Sequence, residues 1–136
     1  MAKQTGLGMT SFTVDDNTPT GRNIVNDITN FQFATPRAVQ DTTGVDKFAM
    51  ERLLLLADFS ITMNGVFNIT ANASHDVFKT IPSSTAVSRT IVMVQSGVTM
   101  TAECLLTDYP LTRGQDGSLV WAVPGVLADG VAPAWT

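Results

Sequence analysis

The residues able to do chemistry are few, and each lacks the neighbours its chemistry needs. His75 is the single histidine. A nucleophilic triad would set it beside a nucleophile. Instead it stands in "ASHDVFKTI", where Ser74 reads as a helix N-cap and Asp76 as an acid in the first turn. Cys104 is the single cysteine, which excludes an intrachain disulfide and a cysteine-based zinc knuckle. Its place in the apolar register of "VTMTAECLLTDY" reads as a small buried hydrophobe. Gly6-Leu7-Gly8 has neither the preceding strand nor the following helix of a phosphate-binding loop. Asp15 and Asp16 are adjacent in a turn, without the regularly spaced further ligands of a calcium loop. No paired-histidine metal spacing exists, and no two carboxylates are marked out for glycoside hydrolysis. Asn68-Ile69-Thr70 and Asn72-Ala73-Ser74 match the glycosylation pattern, which means nothing without a secretory leader. The expectation is a protein that is not an enzyme and uses no metal or cofactor.

Composition narrows the class. The 136 residues suit one domain, and 44% are apolar. Only 15% are charged, against roughly 25% in typical soluble domains. Interface cores are depleted in charge, so this shortage hints at self-assembly. The net charge of −4 and the scattering of the eight Lys and Arg argue against a basic patch for gripping nucleic acid. The N-terminus has no apolar h-region, and the apolar run Leu53 to Ala57 is far too short to span a bilayer. The expectation is a soluble protein with no membrane contact, made in the cytoplasm.

The elements that must position these residues are mostly strands. "MTSFTV" reads as a strand closed by the turn-rich "DDNTPTG". "NIVNDITNFQF" reads as another, bent or bulged at Asn26 and Asp27 and ended by Pro36. "RAVQDTT" offers a further brief pairing. In "TGVDKFAMERL", Val45, Phe48 and Ala49 have helical spacing and Thr43 with Asp46 fits a capping box. One or two helical turns inside a long loop, about 36–52, are expected there. From Ala57 to Asn68 the odd positions are apolar (Ala57, Phe59, Ile61, Met63, Phe67) and the even ones polar, with Gly65 and Val66 alone blurring the pattern. Leu53 to Asn68 therefore reads as one long half-buried strand. A short helix over about 74–81 follows. "RTIVMVQ", the turn Ser96-Gly97, "VTMTAECLLTDYPLT", the turn "RGQDG" and "SLVWAV" have hairpin rhythm, with Pro124-Gly125 as the stop. The expected fold is mainly β, a sandwich or barrel with a short helix. Residues 1–20 are an N-terminal arm and first strand, 21–123 a single β-sandwich domain, and 124–136 a C-terminal tail ending near Trp135.

Taken together, "NDITNFQF", "QDTTGVDK" and "LLADFSITMNGVFN" resemble the major tail tube proteins of long-tailed bacteriophages. The resemblance rests on Asp27-Ile28-Thr29-Asn30, on Thr42-Thr43-Gly44, and on Leu56-Ala57-Asp58 through Ser60-Ile61 to Asn64-Gly65 with Phe67. It covers about 21–123, and each piece alone is weak. It implies a virion protein of the phage tail, made in the host cytoplasm. Its sandwich subunits would form homohexameric rings stacked into a tube for genome ejection. Partners would be further copies of itself, the tape measure, tail terminator and baseplate proteins, and double-stranded DNA in transit without specific binding. The resemblance also implies a channel wall lacking Lys and Arg, for which Asp58, Ser60, Thr62, Asn64, Thr99, Thr101 and Glu103 are the candidates. Val45, Phe48, Met50 and Arg52 would sit in a loop reaching the next ring, and Trp135 in a docking tail. Open alternatives are a tail terminator, a capsid decoration protein, or a small β-barrel for an apolar ligand, which would show a large internal cavity.

Overall fold

The computed structural model describes residues 3–83 and 87–136. Strands run in the order β1 (Ser11–Asp15), β2 (Gly21–Asn23), β3 (Ile28–Ala34), β4 (Arg37–Asp41), β5 (Arg52–Ala57) and β6 (Ser60–Val66). After the helix α1 (Ser74–Phe78) come β7 (Arg89–Gln95), β8 (Val98–Leu106), β9 (Leu111–Arg113), β10 (Leu119–Leu127) and β11 (Ala134–Trp135). The fold is mainly β with one short helix, as the sequence led one to expect. All pairings are antiparallel, and the order β2-β1-β7-β8-β10-β6-β3 forms one sheet.

That sheet folds over on itself. The β7–β8 and β6–β10 ladders each hold seven residue pairs, whereas β8 meets β10 through only three, Cys104, Leu105 and Leu106. β8 is the strand that changes sides: Val98 to Cys104 pair with β7, and its end from Cys104 to Leu106 turns the corner onto β10. Strands that switch layers through a bend are how a sandwich closes one edge. Gly125 stands at this corner, where a Cβ would press on Leu106 and Ile61. The halves β2-β1-β7-β8 and β10-β6-β3 then enclose Phe12, Val14, Ile91, Met93, Met100, Ala102 and Cys104 against Phe59, Ile61, Met63, Trp121 and Val123. Phe12 and Phe31, from opposite ends of the sheet order, meet edge-to-face at 5.0 Å between ring centroids.

Local chemistry sets the turns. Ser96 and Gly97 both have positive φ (52° and 82°), the type I′ signature that matches strand twist in a two-residue hairpin. Asn26 and Asp27 lie in a 3-10 turn, and a register shift follows between Ile28 and Asn30, so the expected bend is there. Gly65 takes an inward strand position because the Trp121 ring lies on it, leaving no room for a Cβ. The Trp121 indole N–H donates to the Val66 carbonyl at 2.7 Å. That contact explains why the alternation blurs at Gly65 and Val66.

Several details differ from the sequence reading. Pro124-Gly125 does not stop the last strand. The Pro124 carbonyl points toward β8 and accepts the Thr107 N–H at 3.3 Å, so its missing donor costs no bond to β6. Ser74 is not the N-cap of α1. It is the first helical residue, its N–H donates to the buried Asp27 carboxylate at 3.0 Å, and its hydroxyl turns to the Val66 carbonyl. α1 ends at Phe78 rather than at 81, followed by turns. At its other end the buried Arg89 donates to the Val77 carbonyl, to Thr80 Oγ1 at 3.0 Å and to the Asp15 carbonyl at 3.3 Å. A five-residue helix has too few internal bonds to stand alone. Here a carboxylate meets its positive end and a guanidinium its negative end.

The β1–β2 turn gives a pH prediction. Burial alone would raise the Asp16 carboxyl. Bonds from the Thr18 hydroxyl, the Thr20 and Thr18 N–H groups and Arg22 outweigh it and hold the pKa at about 2, against an ordinary 3.8. Because the folded value lies below the unfolded one, this contribution is present above the unfolded pKa and lost as pH falls from 3.8 toward about 2. Asp16→Asn should therefore lower the melting temperature near neutral pH, with the gap to wild type narrowing as pH falls from 3.8 toward about 2 and closing below that. Parallel thermal melts across that range check it, and a gap that stays constant would contradict the assignment.

Candidate assembly interface

The opening half of the Leu53 to Asn68 stretch does not enter the core. β3 pairs with β6 as far as Ala34 and Ser60, and β4 pairs with β5 from Arg37 and Ala57 to Asp41 and Arg52. Residues 28–66 thus form one long hairpin broken in its middle. The break has a chemical cause. The bonding side of Pro36 faces Asp58, and with no N–H to give it the ladder loses a bond there. Opposite, the Asp58 N–H donates to the Pro36 carbonyl at 2.9 Å, and the Asp58 carboxylate takes the Phe59 N–H at 2.8 Å. Beyond this kink the distal half, about 36–58, leaves the domain as a separate two-stranded arm.

No helical turn forms in the arm, and Arg37–Asp41, placed inside the expected loop, is a strand. Polar groups organise the tip. Thr43 Oγ1 accepts the Glu51 N–H at 2.8 Å and donates back to the Glu51 carbonyl, while the Thr43 N–H donates to Asp41 Oδ1 at 2.9 Å. These Thr43 bonds, the backbone N–H first, hold the Asp41 carboxyl below its usual range. With the tip closed by hydrogen bonds, Val45 and Phe48 have nothing of their own subunit to pack on, and both are fully exposed (110% and 109%).

The ribbon is apolar on both faces. Leu54 lies opposite Val39 on one face and Leu53 opposite Gln40 on the other, and a bulge between Arg37 and Val39 sets Leu55 and Leu56 together opposite Ala38. Leu53, Leu54, Leu55, Leu56, Val39 and Met50 are all exposed, Leu56 to 86%. An unbroken apolar run marks a strand covered on both sides, yet this one is covered on neither. An isolated two-stranded hairpin is also marginal in water. Among the described residues the arm is the largest concentration of unpartnered apolar surface, the signature of an interaction site. Val45, Phe48, Met50 and Arg52 all lie on it, with Arg52 opposite Asp41. The sequence reading missed Leu53 to Leu56, although four leucines without alternation were the available sign.

The seven residues proposed for a channel wall do not form one surface in the subunit. Ser60, Thr62 and Asn64 point outward from β6, between Asn30, Gln32 and Ala34 on β3 and Ala122, Pro124 and Val126 on β10. No charged side chain occurs among these nine. Thr99, Thr101 and Glu103 point outward from β8 on the other half, beside Thr90, Val92 and Val94. Glu103 accepts the Thr90 hydroxyl at 2.6 Å. Asp58 sits in the kink at the root of the arm. Trp135 belongs to β11, which pairs with β8, and its half-exposed ring lies 5.7 Å from that of Phe33.

The residues first weighed for chemistry have structural surroundings. His75 Nδ1 lies 3.2 Å from the Tyr109 hydroxyl, with the Phe67 ring against the imidazole. Burial above all, with Glu103 and Asp129 nearby, pushes the Cys104 thiol up to about 12, so it stays protonated and unreactive. Among the described residues no cluster of His, Cys, Asp and Glu is arranged to hold a metal. No helix among them is long and apolar enough to cross a membrane.

No protein-family model and no curated protein matches the sequence. Solved structures do. A chain in the tail of an empty GTA particle, from helical refinement with C6 symmetry, superposes with a TM-score of 0.74 at 15% identity, over 98% of this chain and 99% of that one. A chain of the virion of a native gene transfer agent particle gives 0.70 at 14% identity, over 98% and 99%. A chain of the anti-feeding prophage baseplate, 6-fold symmetrised, gives 0.60 at 12%, over 100% and 97%. Along nearly its whole length, this chain shares the fold of those tail, virion and baseplate chains.

Proposed function

We propose that this chain is a structural subunit of a phage-type tail tube, forming hexameric rings that stack into a channel for genome ejection. The arm carries the reading. A subunit that projects a ribbon apolar on both faces is incomplete by itself, and in a stacked assembly the adjacent ring supplies the missing cover. The six-fold symmetry of the GTA tail and the prophage baseplate supports a ring of six. A head-to-tail contact that closes by rotation gives the ring, and one that does not close gives the filament.

The same reading assigns the channel wall. The outward residues of β6 and of its neighbours β3 and β10 include no charged side chain, as a wall that lets DNA slide requires. The outer face of β3-β6-β10, with Ser60, Thr62 and Asn64, then lines the lumen, and Thr99, Thr101 and Glu103 face away from it. A wall without Lys or Arg gives DNA phosphates nothing to hold, so DNA slides past unbound. Tape measure, terminator and baseplate proteins are the further partners in this scheme, and the virion is its location.

Negative-stain electron microscopy of the purified chain across a concentration series, with light scattering, tests the reading. Long tubes of uniform width with a stain-filled axis are expected. Closed rings that never stack would move the assignment to a tail terminator. A monomer at every concentration would overturn self-assembly of the isolated chain.

A further inference from the structure

The C-terminal segment is attached to the domain in an unusual way. β8 runs past the corner with β10, so the edge from Val98 to Glu103 has no β10 partner, and residues 128–136 cover it. Attachment is at two ends. The Ala128 N–H donates to the Glu103 carbonyl at 2.9 Å, and Thr99 and Thr136 exchange both backbone bonds at 2.9 Å, next to the Ala134–Thr101 and Trp135–Met100 pairs. Between these ends the chain bows outward from Asp129 to Pro133 around a gap of about 280 Å³. Gly130, at φ 72°, makes the bend. From Gly130 to Thr136 the segment has no charged side chain. Its one large side chain, Trp135, remains 57% exposed although it touches Phe33.

We infer that this segment is an exchangeable strand: in the assembled ring, β11 of one copy leaves its own β8 edge and pairs with the same edge of the neighbouring copy. The neighbour is the occupant the geometry favours. An identical segment meets an identical edge in the register already present, so every bond broken in one subunit is remade in the next. Exchange of an identical element is a low-cost route to association. The five residues of the bow, extended, span roughly 17 Å, and no charged side chain of residues 130–136 has to be buried. A swapped Trp135 would lie on the neighbour's Phe33, two residues from the root of that neighbour's arm. Ring closure would then brace the element that reaches the next ring. The inference rests on the ring reading for the position of the neighbour.

Thr99 and Thr136 form a hydrogen-bonded pair, which sets Cα atoms about 5.5 Å apart, within disulfide reach. In a Cys104→Ala background, Thr99→Cys with Thr136→Cys should close within one chain in the free subunit. Oxidised after assembly, it should give covalent ladders up to a hexamer on non-reducing gels. Intrachain closure alone in assembled material would overturn exchange while leaving the tube reading intact. A wild type that never assembles would overturn both. The two single variants, mixed in equal amounts, can link only between copies and bypass any folding defect of the double variant. A covalent dimer in up to about half of the assembled subunits, the share random mixing allows in a directional ring contact, is the expected result, and its absence there would refute the exchange.

Discussion

Val45→Asp together with Phe48→Asp should yield a subunit that folds as well as the wild type and forms no tubes. Both side chains are fully exposed at the tip of the arm, so their replacement disturbs no packing within the subunit. The melting temperature should stay within about 2 °C, since surface changes of this kind cost little. Assembly should respond far more strongly. Burying a side chain of this size in a partner is worth about 1.5–3 kcal/mol, and a carboxylate placed there must also be desolvated. Losing both anchors weakens each arm contact by roughly 10²–10⁴-fold, and a stacked ring makes that contact once per subunit. Light scattering and microscopy at the concentration where the wild type assembles give the readout. Tubes from the double variant at that concentration would remove the arm from the interface. Hydrogen exchange supplies an independent check: amides of 37–57 should gain protection on assembly, and equal protection in free and assembled protein would be the contrary result.

The second large effect lies in the core. Arg89→Ala should destabilise the subunit by about 3–5 kcal/mol, by emptying a large buried volume and by stripping the Val77 carbonyl and the Thr80 hydroxyl of their donor. For a chain of this size that corresponds to a fall in melting temperature of roughly 10–20 °C. Burial depresses the guanidinium pKa, while Asp16 and Asp15 oppose that shift. Arg89→Met separates the two causes, since it keeps much of the volume and loses only the donors. It should recover part of the loss. Arg89→Lys should also fall short of wild type, because a single ammonium cannot reproduce the fork that reaches Val77, Thr80 and Asp15 together. A melting temperature for Arg89→Ala within a few degrees of wild type would show that the clamp on α1 contributes little. In the weakened variant α1 should exchange before β6 and β10 do, as a locally unfolding unit.

Much of the architecture was legible because its physics is local. Alternation of Val98 to Leu106 specifies one buried face of a strand, and Met100, Ala102 and Cys104 are buried as that pattern requires. Ser96-Gly97 specifies a tight hairpin because few other pairs tolerate two positive φ values. The alternation from Phe59 onward likewise places Phe59, Ile61 and Met63 inside. The shortage of charge hinted at self-assembly, and the arm exposes the apolar residues such an assembly would bury. Helical spacing in 43–52 misled, since a hydrogen-bonded tip loop can place Val45 and Phe48 outward without any helix. Ser74 misled as well: the group that caps α1 is Asp27, 47 residues away, and no window along the chain contains both.

The sequence by itself therefore determined the class: a charge-poor, strand-rich chain with hairpin turns and a short helix. Local periodicity and turn chemistry suffice for that, because each rests on residues a few positions apart. Only the tertiary structure decided where the long β stretch divides. The same apolar run satisfies a buried strand or an exposed one, and the kink at Pro36 and Asp58 sends Leu53–Leu56 out of the core. It also decided that Ser60, Thr62 and Asn64 lie on a different half from Thr99, Thr101 and Glu103. Alternation says only that a side chain points away from the core, and the three-pair corner between β8 and β10 turns those two outward faces in different directions.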